Sequence, residues 1–185
     1  MTDADGFHVI DITFPDKPRK VESASIKLPD ARNVYVARTY AYVAGGREGV
    51  VILDVEKPEK PFIYQSFDGD GSLRDVNDVK VATTNASLIG YAADGQRGLV
   101  VMQMTDPERV PGFYGFSPPV KPKIIAHRAT TGVATALSKP LDRDRAVDET
   151  GHQVSVLGRI GSRPFTLAEM RRMFITKEGK VWSVE

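Results

Sequence analysis

Apolar residues come in short runs rich in Val, Ile, Tyr and Leu, each cut by Gly, Pro, Asp or Asn. That is the composition of strands, which favour β-branched and aromatic side chains. Asn33–Ala37, Tyr40–Ala44, Val50–Val55 and Phe62–Phe67 are read as four strands. Turns at Arg38-Thr39, Gly45–Gly49 and Glu56–Pro61 join them. Pro58 and Pro61 cannot donate to a ladder, so they break the run and put the fourth strand at a sheet edge. The runs Val50–Leu53 and Leu99–Met102 are apolar almost throughout, as in strands covered on both faces.

The same units recur along the chain. Gly6-Phe7-His8-Val9-Ile10-Asp11-Ile12 with Pro15 and Pro18 returns, offset by 43 residues, as Gly49-Val50-Val51-Ile52-Leu53-Asp54-Val55 with Pro58 and Pro61. It returns again, 49 residues further on, as Gly98-Leu99-Val100-Val101-Met102-Gln103-Met104 with Pro107, the aspartate replaced by Gln103. Between these copies, Asn33–Ala37 resembles Asp78–Ala82, and Tyr42–Gly49 resembles Tyr91–Gly98. A short insertion around Thr84-Asn85-Ala86-Ser87 reads as a longer surface turn. A period of roughly 40–50 residues carrying four strands is the signature of a propeller blade, a sheet that buries its faces only against its neighbours.

Gly49–Val55, with its downstream prolines and the preceding Tyr40–Ala44, resembles the LVIVD repeat, found in bacterial and archaeal proteins, many from the cell surface. The resemblance covers roughly residues 6–116 and departs from the pattern at Gln103. It implies a propeller scaffold and an extracytoplasmic location, at the cell surface or in the periplasm, but no particular reaction. The expected fold is all-β, a partial β-propeller of about three to four four-stranded blades with one short C-terminal helix. Residues 1–117 are read as the blades, and 118–185 as a degenerate final blade of the same domain. That blade would use Val133–Leu137, Arg145–Glu149 and Val154–Leu157, after the prolines 118, 119 and 122 and an edge strand Lys123–His127. Rings typically need four to eight blades, so the chain is read as the C-terminal portion of a longer propeller. Its open faces are expected to be covered by a protein partner or by self-association.

The C-terminal end carries the helical signal. Thr166-Leu167-Ala168-Glu169 is a capping box, and Leu167, Met170 and Phe174 follow on one face, predicting a helix over 167–174 that lids a strand edge. Lys177–Lys180 reads as a hairpin turn, and Val181–Val184 as a last strand with Trp182 as a core or interface anchor. Asp142-Arg143-Asp144-Arg145 reads as a solvated turn.

Composition narrows the chemistry. Twenty-five Lys and Arg against 24 Asp and Glu leave a net charge of +1, without the basic surplus of a nucleic-acid binder. The absence of cysteine excludes disulfides, thiolate metal sites, c-type haem attachment and a cysteine nucleophile. No run approaches the ~18 apolar residues of a membrane span, and the acidic start Met1–Gly6 has no signal-peptide pattern.

Few motifs suggest a site. Asp11 and Asp54 close apolar strands and are read as turn caps. Asp68-Gly69-Asp70-Gly71-Ser72 fails as an EF-hand, because Leu73 and Val79 stand where Gly and Glu are required. Asp68, Asp70, Asp75 and Asp78 are instead read as a polar turn, with a hard-cation loop as the alternative. His8, His127 and His152 are read as ordinary surface or half-buried histidines. Tyr64, Phe67, Phe113 and Tyr114 are read as packing between blades, or else as interface anchors. No catalytic, cofactor-binding or metal residue is assigned, and no cofactor. The expected function is a non-catalytic scaffold presenting a protein-interaction surface. The alternatives are a propeller enzyme or metal-dependent hydrolase completed by further blades, and a scaffold accessory of an extracytoplasmic redox complex.

Overall fold

A computed structural model describes residues 1–83, 88–105 and 117–139, the short segments 146–147, 153–156, 159–160 and 163–164, and residues 168 and 178–180. Within them the chain forms antiparallel sheets laid side by side. The first is β1 (Thr2–Asp3), β2 (Gly6–Asp11) and β3 (Arg19–Lys27), in that order. The second is β4 (Asn33–Ala37), β5 (Tyr40–Ala44), β6 (Val50–Asp54) and β7 (Phe62–Phe67). The third is β8 (Val76–Thr83), β9 (Leu88–Asp94), β10 (Gly98–Gln103) and β11 (Lys123–Arg128). A smaller meander follows, β12 (Ala146–Val147), β13 (Gln153–Val156), β14 (Arg159–Ile160) and β15 (Arg163–Pro164).

The repeated sequences form equivalent parts of successive sheets. β2, β6 and β10 each pair with the outer strand of their own sheet, and each of these pairings carries a register shift at the equivalent place. Such bulges increase strand twist, which stacked blades require. The proline turns also repeat, with Lys17 N–H donating to Phe14 O and Lys60 N–H to Lys57 O. The repeated glycine has one job in all three units. A Cβ at Gly6, Gly49 or Gly98 would lie 2.1, 2.2 or 2.3 Å from the carbonyl oxygen of Ile26, Phe67 or Arg128, and all three residues have positive φ. Only a residue without a side chain lets the outer strand approach that closely.

Alternation along β5 and β6 builds the core. Ala41, Val43, Val51 and Leu53 pack with Phe7 and Leu28 towards the first sheet. Tyr40, Tyr42, Ala44, Val50 and Ile52 pack with Val79, Val81, Val100 and Met102 towards the third. The middle sheet is therefore covered on both faces, as its apolar runs predict. β10 alternates instead, with Val100 and Met102 buried and Leu99 and Val101 half-buried.

Two expectations about the later chain are met differently. Lys123–Arg128 is a strand and completes the third sheet as the outer partner of β10. Val133–Leu137 is not a strand, and Val133 is exposed. Its backbone bonds to side chains instead, with Asn77 Nδ2 donating to Ala134 O at 2.9 Å and Leu137 N–H donating to Asp78 Oδ2 at 2.8 Å. Ala168 is helical. The rest of the expected helix lies outside the described residues, as do 84–87, 113–114, 142–145 and 181–184.

Candidate functional site

Among the described residues, a dense polar cluster lies where the first strands of the second and third sheets, β4 and β8, come together. Arg32 immediately precedes β4. Its guanidinium forks onto Asp30, with Nε to Oδ1 and Nη2 to Oδ2 both at 2.8 Å. Its Nη1 reaches across to Asp75 Oδ1 and Asn77 Oδ1, each at 2.6 Å. One residue on, Asn33 Nδ2 donates to Asp78 Oδ1, which also accepts from Lys80 Nζ. Lys80 stands 5.9 Å from the Tyr35 ring centroid. A backbone bridge between Gly46 and Val76 ties the same two sheets together.

A planar fork suits two carboxylates at once, so Arg32 acts as a clamp between blades. The Arg32 hydrogen bonds hold the Asp30 carboxyl below the ordinary value of 3.8. Arg32 is in turn raised, first by its bond to Asp30 and then by that to Asp75. A depressed carboxylate stabilises the fold above its unfolded value, and that contribution is lost as pH falls through the folded one. Thermal stability is therefore expected to fall below about pH 4, less steeply in Arg32→Gln. Asp30 and Arg32 are 41% and 32% exposed, so the difference is about 1 kcal/mol or less. An equally steep fall in both proteins would contradict the clamp.

A second clamp is Asp94, which is fully buried. Oδ2 accepts the N–H groups of Arg74 and Asp75, each at 3.0 Å, and Oδ1 accepts those of Gln96 and Arg97 at 2.9 and 2.8 Å. One carboxylate thus fixes both the lead-in to β8 and the turn after β9.

The residues singled out in the sequence are dispersed. Asp11 Oδ1 and Asp54 Oδ1 accept the N–H two residues on, from Thr13 and Glu56, each at 2.9 Å, and so act as turn caps. Asp75 and Asp78 are engaged by Arg32 and Lys80. No group of three or more His, Asp or Glu side chains converges to hold a metal among the described residues. Tyr64 packs edge-on against Tyr40 at 5.2 Å, and with Phe67 it lies against the core between the second and third sheets. Burial first, then the charge of Tyr64, pushes the Tyr40 hydroxyl up to about 12.

His8 departs from expectation: it is 3% exposed rather than at the surface or half-buried. Its Nδ1 is 3.0 Å from Ser25 Oγ and its Nε2 is 2.8 Å from Asp3 Oδ1. The cause is register. His8 sits directly opposite Ser25 across β2 and β3, while β1 brings Asp3 alongside. His127 lies exposed on β11, and His152 is outside the described residues.

Between the outer turns of the first two sheets runs a groove of about 490 Å³, lined by Val9, Ile10, Ile12, Val21, Pro58 and Glu59 among others. Ile12, Phe14, Phe62 and Ile63, on or beside the same turns, are exposed. No helix among the described residues is long and apolar enough to cross a membrane.

The LVIVD repeat family matches residues 29–68, which hold β4 to β7 and the Asp30–Arg32 fork. No significant match to a curated protein or to a solved structure is found. The chain thus carries an LVIVD repeat at residues 29–68, and its equivalent sheets, stacked face to face, have the architecture of a partial β-propeller.

Proposed function

We propose that the chain is a propeller scaffold whose protein-interaction surface, itself without catalytic groups, is formed by the outer turns of its first two blades. One contrast carries this reading. The charged groups between β4 and β8 are engaged with one another, whereas large apolar side chains stand exposed around the outer groove. An apolar patch with a polar rim is the usual character of a docking surface. The LVIVD repeat supports an extracytoplasmic setting within a larger surface or periplasmic propeller. Residues 118–185 then supply the outer strand of the third blade and a smaller last blade in the same domain, which the β12–β15 meander supports.

The test is association of the purified chain. Sedimentation velocity across a concentration series is expected to show reversible self-association, with a Phe14→Ser, Phe62→Ser double variant shifted towards monomer. A chain that stays monomeric at every concentration, and that cross-links to no protein in its native cells, would remove the basis for the reading.

A further inference from the structure

Asp3, His8 and Ser25 form a linear hydrogen-bonded series across three adjacent strands. Ser25 is exposed, His8 is buried, and the Asp3 side chain is 45% exposed. The Asp3 carboxylate is aimed by its own turn, Oδ1 also accepting the Asp5 N–H at 2.9 Å. The His8 hydrogen bond is the first cause of an Asp3 carboxyl held below its ordinary value. An ionised carboxylate only accepts, so the proton it shares comes from His8 Nε2. In the neutral ring this leaves the Nδ1 lone pair facing the Ser25 hydroxyl. The backbone fixes the ring's position, since Met1 and His8 exchange hydrogen bonds at 2.8 and 2.9 Å on the strand opposite Ser25's. Nucleophile, base and orienting carboxylate in hydrogen-bond series are what serine acyl transfer requires, whatever their order in the chain.

We propose that this trio makes Ser25 a nucleophile towards activated acyl esters and related electrophiles, with His8 as its base and Asp3 as a positioning residue. Ser25 Oγ bonds to the acyl carbon as the bond from that carbon to the leaving oxygen breaks. The Oγ proton passes to His8 Nδ1 and from there to the departing alkoxide. Water then attacks the Ser25 ester, giving its proton to Nδ1, which returns one to Oγ as the carboxylic acid leaves. The proposal does not rest on the interaction-surface reading, because the trio involves none of the groove residues.

The test treats the folded full chain with a fluorophosphonate. The Oγ–phosphorus bond forms, the phosphorus–fluorine bond breaks, and the proton leaves through Nδ1. Intact-mass analysis with peptide mapping is expected to show one adduct, on Ser25. Ser25→Ala and the urea-unfolded chain should give no adduct at that position. Asp3→Asn, at a partly exposed side chain, should still fold and label at least about 10-fold more slowly. His8→Gln should not label at all. If His8→Gln does not fold, the Asp3→Asn rate decides. No adduct on Ser25 in the folded wild-type chain, or an undiminished rate in folded His8→Gln or Asp3→Asn, would overturn the proposal.

Discussion

Asp94→Ala is expected to destabilise the chain by about 3–5 kcal/mol, read as the shift in a urea unfolding midpoint at unchanged slope. The residue is fully buried and its two oxygens accept four backbone N–H groups. Alanine leaves all four donors without their acceptor. Each buried donor left unmade costs about 1–3 kcal/mol, reduced where water reaches it. Arg74 is exposed and Asp75 only half-buried, which brings the sum over the four donors down to about 3–5 kcal/mol. The loss is large against the ~5–15 kcal/mol that holds an ordinary domain together. Asp94→Asn keeps one oxygen but turns an amide donor towards two other donors, so it should fall between wild type and alanine. A loss below about 1 kcal/mol in Asp94→Ala would show that the turn and the β8 lead-in hold without the carboxylate.

Gly49→Ala should cost about 2–4 kcal/mol. Two penalties combine. The residue has φ +75, and the new methyl carbon would meet Phe67 O at 2.2 Å and Asp68 Cα at 2.8 Å. Both neighbours are backbone atoms, so relief requires β7 to move away from β6 and disturbs the ladder that begins at the Val50–Phe67 pair. Gly132→Ala is the control, since nothing lies within 4 Å of its added carbon. It should change stability by less than about 0.5 kcal/mol. If the two substitutions behaved alike, the repeated glycine would not be explained by close approach of the outer strand. The same loss is expected at Gly98, the equivalent position in the third sheet.

Why the strands were legible and the polar contacts were not follows from range. Asn33–Ala37, Tyr40–Ala44 and Phe62–Phe67 are bounded by turn residues and have a local pattern, so the sequence locates them to the residue. The continuous apolar run of β6 points to two covered faces, and the structure supplies both. The Asp30–Arg32–Asp75 clamp joins residues from different blades, which no local pattern links. A signal does exist: Leu28-Pro29-Asp30-Ala31-Arg32-Asn33-Val34 and Leu73-Arg74-Asp75-Val76-Asn77-Asp78-Val79 share Leu, Asp and Val at an offset of 45 residues. The shared aspartates also do related work, with Oδ2 of Asp30 and of Asp75 each 1.9 Å from where a Cβ on Gly46 or Gly95 would lie. His8 is placed by pairing register rather than by its neighbours in sequence, so its burial between Asp3 and Ser25 has no local mark. Val133–Leu137 has strand-like residues, but side-chain hydrogen bonds to Asn77 and Asp78 satisfy part of its backbone and hold it outside the ladders.

The stacking of separate sheets is tested most directly by nuclear Overhauser effects from the methyl groups of β6. Val51 and Leu53 methyls should see Phe7 and Leu28 of the first sheet, while those of Val50 and Ile52 see Val79, Val81, Val100 and Met102 of the third. Contacts from all four residues to one side only, or backbone contacts placing β6 and β10 as neighbours in a single ladder, would contradict the propeller architecture.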